Sequence, residues 1–411
     1  MNSFESLQAT LGEDVVELHD PRSLEGALLE ATLRPRDGDE LAGSLAALSE
    51  QQLPVLVQGG GTRMQVGSPC PGARALLVTE GISGIDEFDA DDGVVHVRAG
   101  TRLAAVAEAA GEAGWELPFD PPGDTTTVGG AIAASATGPR RQQFGSPRDC
   151  VLGLQVVLPS GERTSCGARV VKNVTGYDMA KLYTGSFGSL GVIEAAWLRL
   201  RPRPRAVTGA VVVFPGSASE PPLGIGLAAA RRGSARVVAI VSGGLAVQLG
   251  VATPGDEAWV LVVEYAGEAP AVARDIDWLR DQATAREVPE ASQLVGRLRD
   301  LQGAGEVRAR LSVLPSQLPG LLAPLSSAGV GTVTYPGLGI VYAFSEGDAK
   351  PLLEAARGSA ADILLEALPL DARRDVDVFG DPGAALPIAR SLKQRFDPLG
   401  ILNPGRFQGR L

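Results

Sequence analysis

Leu41, Leu45 and Leu48 recur at the spacing of one helix face within DELAGSLAALSEQQ, and LPVLVQ (53–58) follows as an apolar run of strand length. That run ends on Gly59, Gly60 and Gly61, so the pattern predicts a helix, a buried strand and a glycine turn in series. ALLVTE (75–80), GVVHVRAG (93–100) and VLGLQVVLPSGE (151–162) predict further strands. TRLAAVAEAAGEAG (101–114) predicts a helix that Thr101 caps. Strand and helix do not alternate regularly, so the expected class is α+β and not a doubly wound sheet.

The texture changes at RLRPRPR (199–205), where Pro202 and Pro204 stiffen an extended exit. Beyond it, AVTGAVVVF, ARVVAIVS, LAVQLGV and EAWVLVVEY read as strands, and the stretches near 221–232 and 269–284 as helices. An antiparallel sheet with helices on one face is expected. The longest charge-free apolar region, VVAIVSGGLAVQLGVA (237–252), is broken by Ser242, Gly243 and Gly244, which predicts a β-hairpin and no membrane span. The expected organisation is a first domain over 1–205, a cap domain over 206–384, and a segment, 385–411, that returns to the first domain.

With 411 residues and 45% hydrophobic content, the chain can bury two or three domain cores. Its formal charge of −11 gives no footprint for nucleic acid, and Arg201, Arg203 and Arg205 are too few to reverse that. The first twenty residues are polar and acidic where a signal peptide is basic and then apolar, so a cytoplasmic protein is expected. Cys70, Cys150 and Cys166 are widely spaced and odd in number, which predicts reduced thiols and no iron–sulfur centre or metal site in this chain. NVT at 173–175 matches a glycosylation acceptor but carries no weight in a cytosolic protein.

The glycine-rich regions carry the chemistry. Gly59–Gly61 after a strand read equally as a tight turn or as a loop whose bare amides cradle a phosphate. A second such region, PFDPPGDTTTVGGAIAASATGPRRQQFGSPRDCVLGLQVVLPSG (118–161), and a third, KNVTGYDMAKLYTGSFGSLGVIE (172–194), weigh against three unrelated turns. Together with LKQRFDPLGILNPGRF (392–407) they resemble the flavoproteins of the vanillyl-alcohol oxidase type, the FAD-linked oxidase family with its PCMH-type FAD-binding domain. The resemblance runs through 50–205 and returns at 388–407. Within the family, GPRRQQFGSPRDCVLG and VVKNVTGYDMAKLYTGSFGSLGV are most similar to the E-subunit branch of bacterial glycolate oxidases.

The resemblance implies a two-subdomain FAD-binding domain with an antiparallel-sheet cap. It implies that Gln58, Gly59, Gly60, Gly61 and Thr62 surround the FAD pyrophosphate and that Pro122, Thr127, Gly129 and Gly130 form the facing wall. Ser135 and Gly138 would continue along the cofactor, Val192 and Ile193 would hold the adenine end by backbone contacts, and Asn403 and Arg406 would return beside the flavin. Many relatives bind flavin through a histidine just after the paired glycines. Here Gly61 and Thr62 stand in that region, so non-covalent FAD is expected.

His19 and His96 are the chain's two histidines. His19 reads as part of an N-terminal loop and His96 as a strand residue between Val95 and Val97, both structural. Removal of hydride from a hydroxyl-bearing carbon needs a base with a pKa near the working pH, and none is evident, so no catalytic residue is assigned. Arg63 reads as a solvated charge or as part of the site, and Arg140 and Arg141 as ion-paired with nearby carboxylates or as site residues. Lys172 reads as a strand-end charge or a site residue; Tyr177, Asp178 and Trp115 read as structural.

Two functional readings follow. In the first, the chain is the FAD-binding subunit of a glycolate (2-hydroxy-acid) oxidase complex that makes glyoxylate. A homologous FAD-linked oxidase subunit performs substrate oxidation, an iron–sulfur subunit takes the electrons, and the complex sits at the inner face of the plasma membrane. In the second, the chain is a self-sufficient FAD-dependent oxidoreductase acting on a sugar acid, lactone or 2-hydroxy acid, with Tyr335, Arg308, Arg310 or a carboxylate at the substrate. A cofactor-free scaffold is disfavoured because it would not need the bare glycine backbone.

Overall fold

The computed structural model describes residues 3–169, 177–215, 221–255, 258–359, 361–374, 376–380 and 383–407. Lys172 and the NVT triplet lie outside them. The first strand, Val16–Leu24, forms the edge of a four-stranded sheet and pairs antiparallel with Ala27–Leu33. Ala75–Val78 and Val55–Gln58 complete that sheet in parallel. The helix Gly38–Glu50 buries Leu41, Leu45 and Leu48 against it, with Asp37 accepting from the Asp39 and Glu40 amides at its start.

A second, antiparallel sheet runs in the order Ile85–Asp89, Val94–Arg98, Val192–Arg199, Val151–Val157, Arg163–Gly167. One face of it packs on the helices Leu103–Glu112 and Val128–Ala133 through Val95, Val97, Val106 and Ile132. The glycine triplet follows a strand of the first sheet, the loop at 125–130 leads into the helix Val128–Ala133 on the second, and the two loops meet.

The third sheet has eight strands, all antiparallel, and begins at Ala206. Its order is Arg286–Val288, Ala206–Phe214, Trp259–Gly267, Ala235–Ser242, Gly331–Tyr335, Ile340–Ser345, Val307–Ser312, Asp362–Ala367. Helices Leu223–Ala230, Ala269–Gln282, Leu318–Ser327 and Lys350–Arg357 cover one face. The expectation of helices on one face only is corrected here, because Ala291–Gly303 lies on the other face through Leu294, Val295 and Leu298. Strands such as ARVVAIVS are apolar at consecutive positions, so both faces need cover. Among the described residues, no helix is long and apolar enough to cross a membrane.

Three local expectations are also corrected. The predicted hairpin at 237–252 is a strand ending at Ser242, then a helical turn, Gly243–Ala246, and a 3-10 turn, Val247–Leu249. Gly243 and Gly244 do not take the positive φ that a tight hairpin turn demands, and Ala246 and Leu249 bury instead on the sheet. His19 lies on the edge strand Val16–Leu24, not in a loop. Pro21 and the polar residues around it disguise that strand, and the pairing shifts register between Leu18 and Arg22. Thr101 does not cap the helix at Leu103: its hydroxyl donates to the Gly84 carbonyl and accepts the Gly84 amide, and Arg102 is the N-cap without a side-chain bond.

Candidate functional site

The strand Val55–Gln58 ends at the glycine triplet, and the loop it feeds lies face to face with the loop at 125–130. Thr125 Oγ1 donates to the Gly60 carbonyl at 2.8 Å, and the Thr62 and Thr126 hydroxyls lie 2.9 Å apart. The glycines permit this approach. A Cβ on Gly60 would overlap the Thr125 carbonyl oxygen, and one on Gly129 would lie 2.6 Å from Ala99 Cβ. Gly130 is more open, with the Thr127 hydroxyl 3.0 Å from where its Cβ would stand. The triplet is thus bare first because two backbones pack together, which leaves its amides uncovered on the remaining side.

A cleft opens along these loops. Gly59, Gly60, Gly61, Thr62, Thr127, Gly129, Gly130, Val192, Ile193, Asn403 and Arg406 line it. Of the other residues expected there, Ser135 lines a smaller chamber beyond it. Gln58 ends the strand, its carbonyl accepting from the Thr79 amide at 2.9 Å. Pro122 accepts from the Thr126 hydroxyl through its carbonyl, and Gly138 abuts Asp120. Sequence reasoning missed Met64, Thr79 and Phe187 as lining residues. Phe187 stood within the quoted GSFGSLG run, but its role comes from a positive φ of 51° that no pattern announces.

The C-terminal segment closes the cleft floor. Leu402 forms a parallel bridge to Val55, and the Val57 amide donates to Asn403 Oδ1 at 2.9 Å. Asn403 Nδ2 donates to the Phe187 carbonyl at 2.7 Å. Arg406 donates from Nη1 to the carbonyls of Met64 and Val66, at 2.6 and 3.0 Å, so its guanidinium clasps the loop after the glycines. Buried Lys393 anchors the turn that leads there, donating to Ser189 and Leu402 carbonyls and to Asp397 Oδ2. Asp397 also accepts the amides of Ile401 and Leu402.

The eight-stranded sheet faces the cleft region with charged groups. Arg63 is neither solvated nor free: Nη1 lies 3.0 Å from Glu366 Oε2, which Arg308 Nε also approaches at 3.4 Å. Burial pushes the Glu366 carboxyl up, but Arg63, Arg310 and Arg308 outweigh burial and hold it below the usual carboxylate range. Arg140 is ion-paired with Glu264 and Asp120, while Arg141 makes one long contact, 3.5 Å, to the Thr137 hydroxyl. Burial raises the Asp120 carboxyl to about 6 against the pull of Arg140. Tyr335, a possible base on sequence grounds, is pushed well above the usual phenol value by burial, and its oxygen accepts from Gln302.

Neither histidine reaches the cleft. His19 bonds the Asp20 carbonyl and Thr32, and His96 stacks on Trp197 with ring centroids 4.6 Å apart. Tyr177 is exposed, Asp178 caps Met179–Tyr183 by accepting from the Lys181 amide, and Trp115 donates to the Ala90 carbonyl.

The cleft fits a dinucleotide diphosphate. Gly60, Gly61 and Thr62 line it, and their amides have no acceptor among the described residues. No acidic side chain is among its lining residues, whereas Arg63 and Arg406 are. Such a surface accepts negative charge without a desolvated counter-anion.

Residues 29–167 match the family model described as an FAD binding domain. The chain is 35% identical to a D-lactate dehydrogenase of Archaeoglobus fulgidus over 47% of its own length and 43% of the relative's. It is 38% identical to glycolate oxidase subunit GlcE of Escherichia coli over 37% of its own length and 44% of that protein's. The chain thus spans less than half the length of either relative. It is 30% identical to a mitochondrial D-2-hydroxyglutarate dehydrogenase of Bos taurus over 90% of its own length and 75% of the relative's. In fold it is similar to p-cresol methylhydroxylase, with a TM-score of 0.73 at 15% identity, over 98% of this chain and 96% of the other. An FAD-binding domain whose glycine loops frame an acid-free cleft, continued by likeness to a D-2-hydroxyglutarate dehydrogenase over 90% of the chain, makes this chain a member of the FAD-linked oxidase family.

Proposed function

We propose that the chain is the FAD-binding subunit of a 2-hydroxy-acid oxidase complex of the glycolate oxidase kind, held in the cytoplasm at the inner face of the membrane through its partners. Bound FAD supplies hydride acceptance. The chain's own residues supply the cradle: the amides of Gly60, Gly61 and Thr62 for the diphosphate, Gly129 and Gly130 opposite, Val192 and Ile193 at one end, and the Asn403–Arg406 floor. Attachment is non-covalent, since no histidine, cysteine or tyrosine is among the lining residues. Acid precipitation tests this: flavin colour is expected in the supernatant, and colour kept in the pellet overturns it.

The observation that carries the subunit assignment is that the charged groups where the loop after the glycines meets the cap, Arg63, Arg308 and Glu366, are paired with one another, and that Asp120, whose carboxyl is raised to about 6, pairs with Arg140 and is not among the residues lining the cleft. Glu366 is held too acidic and Tyr335 too basic to take the hydroxyl proton. Substrate oxidation then belongs to a homologous FAD-linked subunit, and onward electron transfer to an iron–sulfur subunit. A dye-reduction assay with glycolate and both lactate enantiomers compares the FAD-loaded chain with the complex from its native host. Loss of general-base help predicts turnover lower by about 10²- to 10⁴-fold for the chain alone. Equal rates would establish the self-sufficient oxidoreductase instead.

A further inference from the structure

The loop after the glycine triplet is held from outside. The carbonyls of Met64, Gln65, Val66 and Gly67 accept no backbone amide among the described residues. Two arginines take them in alternation: Arg406 donates to Met64 and Val66, and Arg373 donates from Nη1 to Gln65 at 2.8 Å and to Gly67 at 3.4 Å. Arg373 stands in the 3-10 turn Ala372–Arg374, after the last strand of the eight-stranded sheet, and its side chain is 5% exposed. One carboxylate serves both guanidiniums. Glu25 Oε2 lies 2.6 Å from Arg373 Nη1 and 3.8 Å from Arg406 Nη1. Glu25 and Gly26 form the two-residue turn between Val16–Leu24 and Ala27–Leu33, with φ of 52° and 79°. Asn-Gly fills such a turn best, and a glutamate in the left-handed region is strained, so the turn alone does not explain why a glutamate stands there.

We propose that Glu25 is a positioning residue for the cofactor cleft, which it orders by holding Arg373 and Arg406 on the carbonyls of residues 64–67. Met64 and Arg406 line the cleft, whereas Glu25 and Arg373 do not, so these two act through their neighbours. Without the carboxylate, two buried guanidiniums would stand together with no shared anion, and the carbonyls would lose the donors that satisfy them. Because Arg373 follows the cap sheet, the same contacts make the order of the cleft wall depend on the cap. By reciprocity, FAD in the cleft tightens the clasp around Glu25. The inference rests on the FAD reading above and deepens it: cofactor affinity is set in part by a carboxylate outside the cleft.

Titration of the full-length apo-protein with FAD, read by the change in flavin fluorescence, tests this in Glu25→Asn, Glu25→Gln, Arg373→Gln and the double variant Glu25→Gln with Arg373→Gln. If Glu25 served the turn alone, Glu25→Asn would keep or raise the apo unfolding midpoint and leave FAD affinity as it is. The clasp predicts FAD binding weaker by about 5- to 150-fold in both Glu25 variants, the usual range of coupling between separate sites. In the double variant the loss should be smaller than the product of the two single losses, as for residues that share one interaction. Hydrogen exchange of the parent protein needs no variant. Saturation with FAD should slow the amide of Cys70, which donates to the Glu25 carbonyl, and that of Arg373, which donates to the Pro369 carbonyl. Unchanged FAD affinity in both Glu25 variants, losses that simply multiply in the double variant, or unaltered exchange at both amides overturns the proposal. A parent chain that binds no FAD overturns the FAD reading together with it, whereas a parent that binds FAD and gives any of those three results sinks the clasp alone.

Discussion

Arg63 and Glu366 meet at 3.0 Å although 303 residues separate them along the chain. The pair ties the loop after the glycine triplet to the last strand of the eight-stranded sheet, and both side chains are largely buried. Arg63 is thus set by the cap as much as by the strand that precedes it.

Removing the two partners should have unequal effects. Arg63→Ala leaves Glu366 with Arg308 and is expected to lower stability by about 1–3 kcal/mol. Glu366→Gln leaves several guanidiniums without their anion and is expected to lower it by about 3–5 kcal/mol. Because the folded carboxyl is held below its ordinary value, this stabilisation is present above about pH 4.3 and fades as pH falls through the folded value. Urea unfolding of both variants and the double variant checks it; additive effects would show that the residues do not interact.

Asp120 should behave in the opposite sense. Its carboxyl is raised to about 6, so the folded state binds the proton more tightly than the unfolded chain does. Stability from this group is therefore lost as pH climbs from about 4 to 6, and is constant above. Asp120→Asn is expected to lack that decline, a difference on the order of 2 kcal/mol between pH 4 and 8. Parallel denaturation curves at the two pH values would remove Asp120 from the account.

Gly60→Ala is expected to damage the apo-protein as well as flavin retention, because the new methyl overlaps the Thr125 carbonyl oxygen and not only the cleft. Overpacking of that kind costs about 1–3 kcal/mol. Gly130→Ala, with 3.0 Å to the Thr127 hydroxyl, should be gentler on the fold. Apo melting temperature and flavin absorbance, measured together, separate the two effects; an unchanged apo midpoint for Gly60→Ala would refute the backbone contact.

Lys393→Met should release the C-terminal turn. The ammonium satisfies two carbonyls and buried Asp397, whose charge would be left alone at a cost of about 3–5 kcal/mol. Flavin retention is expected to fall while the eight-stranded sheet keeps its circular dichroism. A companion variant, Lys393→Met with Asp397→Asn, which removes the charge and keeps an acceptor for the Ile401 and Leu402 amides, should recover stability if the unpaired carboxylate is the cause; retained flavin in the single variant would show that the floor does not depend on this anchor.

Periodicity made the Gly38–Glu50 helix and the Val55–Gln58 strand legible, since Leu41, Leu45 and Leu48 on one side and a short apolar run on the other have one economical packing. The cleft was legible wherever glycine is demanded by close backbone approach, as at Gly60 and Gly129. What escaped is long-range. Nothing near Arg63 announces Glu366, and nothing in LKQRFDPLG states that Lys393 reaches Ser189. The mistaken hairpin at 237–252 has the same origin: Gly-Gly permits a reversal, but burial of Ala246 and Leu249 decided for a helical turn.

The bridge between Val55 and Leu402 bears on how the molecule is made. Val55–Gln58 is flanked by Ala75–Val78 on one side, and its other edge waits for Ile401 and Asn403, which are made only after the whole eight-stranded sheet. At about 5–20 residues per second, synthesis of the intervening chain takes tens of seconds, during which an apolar strand edge beside the glycine loop stands open. Such an edge is a template for pairing with a neighbouring nascent chain. Flavin held at the proposed cradle cannot shield that edge before Asn403 is made, so the strand is most exposed to such pairing while the chain between Gln58 and Ile401 is being synthesised.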